Sequence, residues 1–313
     1  MIRYIPYKDI DREKWDRCIA QASNGSVYVY STYLDHMSMH WDGLVQDDYE
    51  AVMPLTWNRK WGIAYLYQPH LSAEGGVFQQ EPVTVETLKA FLGAIPAKFR
   101  FWEFALNSEN LLPDTGFPLY PRINFLLPLY DSYETIQRGY NNNLKRNIRK
   151  AVEAGLTYQS DVPLEEALGL ANRKLLAITR LKMRHFERFM HLCRQLEGDK
   201  MVVTRGVYDA DGTLMASGVF LYSHTKAYYA VGGSHPEGRN LGASHFLLDQ
   251  FIREHAGTGL TFDFEGSDIT SLATFYRSFG AYEQPYAAIR LNRLPQPLRW
   301  LKGQTASLQL APV

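Results

Sequence analysis

Asp263 and Glu265 stand two residues apart in a run, 260–265, whose aromatic and apolar neighbours read as a strand. Alternation along a strand puts the two carboxylates on one face and Phe262 and Phe264 on the other. Close spacing with partial burial raises one carboxyl pKa toward neutrality, which suits a general base that takes a proton from an ammonium group. Glu265 is the first choice for that base and Asp263 the second. The competing assignment makes Asp263 a structural hydrogen-bond acceptor and Glu265 the residue that orders the next loop.

A second constellation precedes this run. A strand-like segment, 227–231, meets the glycine turn Gly232, Gly233, Ser234, and the segment Arg239, Asn240, Leu241, Gly242, Ala243, Ser244 opens into an amphipathic helix at 245–255. The first N–H groups of a helix lack intrahelical partners and lie at the positive end of its dipole. A glycine-rich turn at that point is therefore expected to hold a pyrophosphate by main chain, with Arg239 as a side-chain partner. His235, in the same turn, touches donor or acceptor or is merely exposed, and exposure is the expectation for a loop histidine followed by Pro236.

The third constellation is cationic. Residues 141–155 give a helix with Leu144, Ile148, Ala151 and Val152 on an apolar stripe and Lys145, Arg146, Arg149 and Lys150 opposite, with Gly155 placed to end it. Like charges at i,i+4 repel, so an anion lying across them relieves strain. Such a face takes a substrate phosphate or RNA, or it is simply solvated.

These groups need a scaffold, and 313 residues are enough for about two domains. Hydrophobic residues make up 46% of the chain, and 33 basic residues balance 33 acidic ones, which excludes wholesale disorder and a globally basic DNA binder. No run reaches the length of a membrane span. Cys18 and Cys193 form no disulfide framework, which suits a reducing, cytoplasmic setting. There is no His-Glu-x-x-His, Cys-x-x-Cys, Gly-x-Ser-x-Gly, Walker or dinucleotide fingerprint, so neither a metal site nor a hydrolase, NTPase or nicotinamide chemistry is indicated.

The order of elements occurs twice. Helices at 10–22 and 32–39 precede strands at 49–57 and 61–67 joined by a turn at 58–60, then a glycine-containing loop, a helix at 83–95 and strands at 99–106 and 123–129. Helices at 133–154, 164–176 and 183–196 precede strands at 201–208 and 213–222, joined by the hairpin signal Asp209-Ala-Asp-Gly212. The strand at 227–231, the glycine turn, the strand at 260–265, a helix at 269–278 and a last strand at 286–291 complete the second set.

This repeated pattern resembles the GCN5-related N-acetyltransferase (GNAT) fold, and the whole chain is similar to its tandem branch, the FemABX-like and BioF2-like proteins. Arg239-Asn-Leu-Gly242-Ala-Ser244 resembles the superfamily's Gln/Arg-x-x-Gly-x-Gly/Ala donor loop, with serine at the last small position. Residues 262–267 and Phe275-Tyr-Arg-Ser-Phe-Gly-Ala281 resemble the end of the FemABX-like domain, with Tyr276 where Fem peptidyltransferases usually carry lysine. Residues 141–155 resemble its basic opening helix. The resemblance implies an α+β protein of two tandem acyl-CoA N-acyltransferase-like domains, each a mixed, mostly antiparallel sheet flanked by helices. The expected boundaries are 1–130 for an acceptor-side domain with a degenerate donor loop, 131–294 for the donor-binding domain, and 295–313 for a tail.

What the resemblance further implies is attack by an amine on a thioester or ester carbonyl, with Tyr276 returning a proton to the leaving group; the alternative places Tyr276 in the core. Trp57, Trp61, Tyr65 and Tyr67 line an acceptor cleft or pack the sheet. The expected activity is transfer of an acyl group from acyl-CoA, a co-substrate and not a resident cofactor, to an amine of a small molecule, amino sugar or cell-wall precursor. An aminoacyl-tRNA-dependent transferase acting on a peptidoglycan precursor and a non-catalytic glycan- or peptide-binding protein are the rivals.

Overall fold

The computed structural model describes residues 1–178, 182–266, 269–296 and 298–299. The first half runs β1 (Ile2–Ile5), α1 (Arg12–Gln21), α2 (Ser31–Met37), β2 (His40–Gln46), β3 (Ala51–Lys60), β4 (Ile63–Tyr67), β5 (Phe78–Gln79), α3 (Val85–Ala94), β6 (Phe99–Ala105) and β7 (Leu119–Pro128). There follow α4 (Tyr133–Arg138), α5 (Asn142–Glu153), β8 (Thr157–Ser160), α6 (Leu164–Ile178), α7 (Met183–Glu197), β9 (Val202–Tyr208), β10 (Leu214–Ser223) and β11 (Lys226–Ser234). The last elements are α8 (Pro236–Leu241), α9 (Ala243–His255), β12 (Thr261–Asp263), α10 (Thr270–Arg277) and β13 (Tyr282–Asn292). The chain divides into unit 1, Met1–Arg122 with the segment beginning at Pro285, and unit 2, Ile123–Gln284.

In unit 1, β1 to β4 form an antiparallel meander, β6 joins β4 in parallel, and β13 closes on β6 antiparallel. Its core holds Leu44, Met53, Leu66, Phe91, Trp102 and Ile289, all essentially inaccessible. Each such side chain contributes about 1.5–3 kcal/mol of burial. The helix α3 that covers this sheet begins at Thr84, whose hydroxyl accepts from the Thr87 N–H at 3.2 Å.

Unit 2 repeats the scheme. Here β8 to β11 form the meander, β12 joins β11 in parallel, and β7 closes on β12 antiparallel. Its core is aromatic, with Phe220 and Phe251 stacked at 3.8 Å and Phe262 against Phe264 at 4.4 Å. Unit 2 is closed by the strand that opens its own run, the Leu126–Pro128 part of β7, whereas unit 1 is closed by β13, which returns from the far end of the chain. The strand at 286–291, expected to complete the second set, instead pairs Ala288–Asn292 with Phe101–Ala105, and Ala287 and Ile289 are buried in unit 1.

Other differences are local. β3 continues through Lys60, so the tight turn is Trp61–Gly62 and not 58–60. The expected helix at 133–154 is two helices, because the Asn141 side chain accepts from the Leu144 N–H at 2.8 Å and restarts the helix after Gly139. β1, β2 and β8 had no counterpart in the sequence pattern. Both cysteines are buried and unbridged, and burial pushes the Cys18 thiol up to about 11. No helix among the described residues is long and apolar enough to cross a membrane. Of the expected tail at 295–313, residues 297 and 300–313 lie outside the described residues, as does Ser267.

Candidate functional site

In unit 2, β11 pairs with β10 along nearly its whole length but with β12 only through Lys226–Tyr228 against Thr261–Asp263. Beyond that point the two parallel strands part. The other edge of β11, residues 229–234, has no strand partner among the described residues. A register slip leaves Ala230 as an extra residue between the pairs Phe220–Tyr229 and Val219–Val231. Such a bulge re-aims side chains, and Tyr229 lies with its ring 5.4 Å from Phe220 and its hydroxyl where a Cβ of Gly232 would stand.

Gly232 and Gly233 therefore belong to a strand, correcting the expectation of a turn there. Gly232 leaves room for the Tyr229 phenol. A Cβ at Gly233 would lie 2.5 Å from the Ala171 nitrogen, so this glycine permits α6 to pack on the sheet. Ser234 ends β11. The helix start is where the sequence put it, displaced only in detail: Arg239, Asn240 and Leu241 form the end of α8, Gly242 at φ +77° links α8 to α9, and Ala243 and Ser244 begin α9. No side chain caps α9. Its first N–H groups thus keep the anion-binding character of a helix N-terminus. His235 is half-buried rather than exposed, and its ring accepts from the Glu237 N–H at 3.4 Å.

Asp263 and Glu265 are both buried, at 3% and 2% exposure. They do not continue one strand face, because β12 ends at Asp263 and Glu265 takes φ +63°. A non-glycine residue in this region stores strain of order 1–3 kcal/mol. Asp263 holds it there: its Oδ1 accepts from the Glu265 N–H at 2.9 Å, and the Asn124 Nδ2 donates to Oδ1 and Oδ2 at 3.0 and 3.1 Å. Burial holds the Asp263 carboxyl above its ordinary range, against the opposing pull of Lys226, whose Nζ is 4.0 Å away. With both oxygens engaged, Asp263 is an acceptor that positions Glu265.

Tyr276, buried on α10, packs 5.1 Å from Phe264 and 5.9 Å from Phe125. Burial first, and then the nearby Tyr229, Glu265 and Asp263, push its phenol far above its ordinary value. It stays protonated at any working pH and remains a proton donor. The same interactions bring Asp263, Glu265, Tyr276 and Tyr229 into one neighbourhood.

His245, in the first turn of α9, joins this cluster through Phe275, whose ring meets it edge-on at 4.9 Å. Neither His245 nor Tyr229 was singled out from sequence; the signal for His245 was its place three residues after Gly242. Burial lowers the His245 imidazole from 6.5 to about 4. The folded state therefore binds fewer protons than the unfolded one between about pH 6.5 and 4, and stability falls as pH falls through that window. Replacing His245 by Phe is expected to flatten this fall, read as urea midpoint against pH. Asp249 and Asp263, raised by burial, act in the opposite sense, so the difference between parent and variant isolates the imidazole.

The four cations lie on α5 as expected, but Val152, assigned to the apolar stripe, is 58% exposed. Lys145 is half-buried, while Arg146, Arg149 and Lys150 are exposed. None of the four makes an ion pair among the described residues. The helix reaches the α8–α9 junction directly, since a Cβ at Gly242 would lie 2.5 Å from the Asn147 carbonyl oxygen. The basic helix and the helix start are thus adjacent.

In unit 1 the aromatic residues do not share a face. Trp57 packs on the core, 6.1 Å from Phe99, while Tyr65 and Tyr67 alternate on the half-exposed side of β4 and Trp61 stands free at the turn. A cavity of about 520 Å³ in this unit is lined by charged groups, among them Lys14, Arg17, Asp48, Glu50 and Glu81, and includes none of the expected site residues.

Comparison with known proteins bears on the fold. Residues 138–275 match the family described as acetyltransferase (GNAT) domain. No curated protein matches the chain. Among solved structures, FemX superposes with a TM-score of 0.65 at 15% identity, over 94% of this chain and 99% of FemX. A conserved protein of unknown function from Bacteroides thetaiotaomicron gives 0.60 at 14% identity, over 92% of this chain and 100% of that one. L-PGS from Bacillus licheniformis gives 0.53 at 11% identity, over 83% and 87%. The α+β fold is that of the FemX-like tandem GNAT structures.

Proposed function

We propose that this chain, whose residues 138–275 match the acetyltransferase (GNAT) domain family, is an N-acyltransferase that moves an acyl group from an acyl-CoA thioester to an amine. The acceptor class is a small molecule, an amino sugar or a cell-wall precursor. The reading rests on one observation above the others: Glu265, buried and held in a strained conformation, lies near the protonated Tyr276 inside unit 2, beside the parting of β11 and β12.

In this reading the donor's phosphates lie at the uncapped start of α9, on the N–H groups of Ala243 and Ser244, with Arg239 alongside and Asn240, Leu241 and Gly242 shaping the approach. Glu265 takes the proton of the incoming ammonium as the nitrogen bonds to the carbonyl carbon. The unpartnered edge of β11 offers N–H groups to the oxyanion. As the C–S bond breaks, the thiolate receives the proton of Tyr276, and the second proton of the nitrogen returns to the phenolate as the amide forms. Asp263 acts by fixing Glu265. The setting is the cytoplasm.

A second reading, with an aminoacyl-tRNA as donor, is supported by the exposed Arg146 and Lys150 on α5, which with Lys145 and Arg149 form an anion-ready face. A steep salt dependence of tRNA binding favours it. The test of the main reading is release of free thiol from acetyl-CoA in the presence of amines, by the parent and by a Glu265→Gln variant.

A further inference from the structure

In unit 1 the β3–β4 hairpin turns on two residues, Trp61 and Gly62, at φ +50° and +77°. Positive φ at both central positions is the mark of a type I′ turn, where Asn, Asp or Gly is favoured and a tryptophan is strained. Packing does not repay that strain, because Trp61 is 75% exposed. Its ring carries the Lys60 ammonium at 4.8 Å, and Arg59 beside it is exposed as well. Neither cation makes an ion pair among the described residues. The whole hairpin, residues 51–67, contains no carboxylate. Register brings one further cation to this end: Ala64 lies beside Phe99, which precedes the exposed Arg100, while Lys98 on its other side is paired with Asp42 at 3.8 Å.

A fold gains nothing from a solvated tryptophan in a conformation that disfavours it, so the residue answers to something outside the fold. We propose that this hairpin docks the protein on an anionic lipid surface, with the Trp61 ring at headgroup level and Arg59 and Lys60 on lipid phosphates. Tryptophan is favoured at such interfaces because an apolar ring and a polar N–H are both accommodated there. Basic residues at the surface add electrostatic attraction that salt screens. Ile63, half-buried next to the turn, extends the apolar side of the tip. A single projecting ring fits a lipid surface better than RNA, whose bases call for successive stacking platforms.

The test is co-sedimentation of the full chain with vesicles of phosphatidylcholine alone and with phosphatidylglycerol added, together with thermal melting. The parent is expected to partition onto the anionic vesicles only, and less so in high salt. Trp61→Asn is expected to melt no lower than the parent, since Asn suits the turn, and yet to lose partitioning on the order of tenfold. Arg59→Ser with Lys60→Ser is expected to lose about fivefold for each charge removed. The proposal is overturned if the parent stays in solution with anionic vesicles, if Trp61→Asn partitions as the parent does, or if the hairpin binds single-stranded RNA and not vesicles.

Discussion

Glu265→Gln is expected to lower the turnover of acyl transfer by about 10²–10⁴-fold, the usual contribution of a positioned general base, while donor binding stays close to that of the parent. The amide keeps the size of the side chain and its left-handed backbone at φ +63°, but it cannot take the proton of an ammonium group. Thiol release at saturating acceptor measures the loss. Asp263→Asn bears on the same group indirectly, since an amide retains only one oxygen for the donors that Asp263 now satisfies, Asn124 and the Glu265 N–H. Its cost falls on turnover through misplacement of Glu265, and the loss is smaller. Tyr276→Phe removes the proton donor without changing the pH profile in the neutral range, because burial keeps this phenol protonated there. A Glu265→Gln variant that turns over as the parent does would remove the base from this carboxylate.

Gly242→Ala is expected to cost roughly 2–5 kcal/mol of stability. Two terms add: a non-glycine residue held at φ +77° costs about 1–2 kcal/mol, and a methyl group 2.5 Å from the Asn147 carbonyl oxygen overpacks the α5 contact by about 1–3 kcal/mol. Urea denaturation measures the sum. A change to aspartate meets the same obstacle, so loss of donor binding in such a variant reports unfolding before it reports repulsion of a phosphate. Ser244→Asp, in the half-buried first turn of α9, separates the two effects because it sets a negative charge at the helix start without touching Gly242. Parent-like stability of Gly242→Ala would mean that α5 does not press on this glycine.

Local chemistry was the part of the structure that could be read in the residues. The Asp209-to-Gly212 hairpin forms where expected, with the Asp209 carboxylate accepting from the Asp211 and Thr213 N–H groups at 3.0 and 2.8 Å. The basic helix and the start of α9 also stand where their caps and periodicity put them. What escaped depends on partners distant in sequence. Alternation in β13 is the same whichever sheet receives it, so nothing local reveals that Ala287 and Ile289 complete unit 1. Gly232 and Gly233 read as a turn because glycine is common there, yet their task is to admit the Tyr229 phenol and the α6 backbone, both unseen until the chain folds. β2 carries an aspartate and a glycine in its middle, which masked it; Asp42 is buried there and accepts from the Tyr7 N–H at 3.0 Å.

The site divided along the same line. Two carboxylates close together in an apolar run announced themselves by type, and the helix start by its glycine. That Asp263 holds the Glu265 backbone, and that Glu265 lies beyond the end of the strand, is a matter of backbone conformation and of Asn124, which lies far away in sequence. His245 and Tyr229 were silent because a histidine on a helix and a tyrosine in a strand are ordinary; burial and their neighbours give them their character.

The most direct test of the central claim is calorimetric titration of the full chain with acetyl-CoA, repeated on Arg239→Ala. Saturable binding is expected in the micromolar range, about −8 kcal/mol, weakened on the order of tenfold when the charged partner of the phosphates is removed. Absence of saturable binding to acetyl-CoA and to coenzyme A, with tRNA bound in its place, would contradict the central claim.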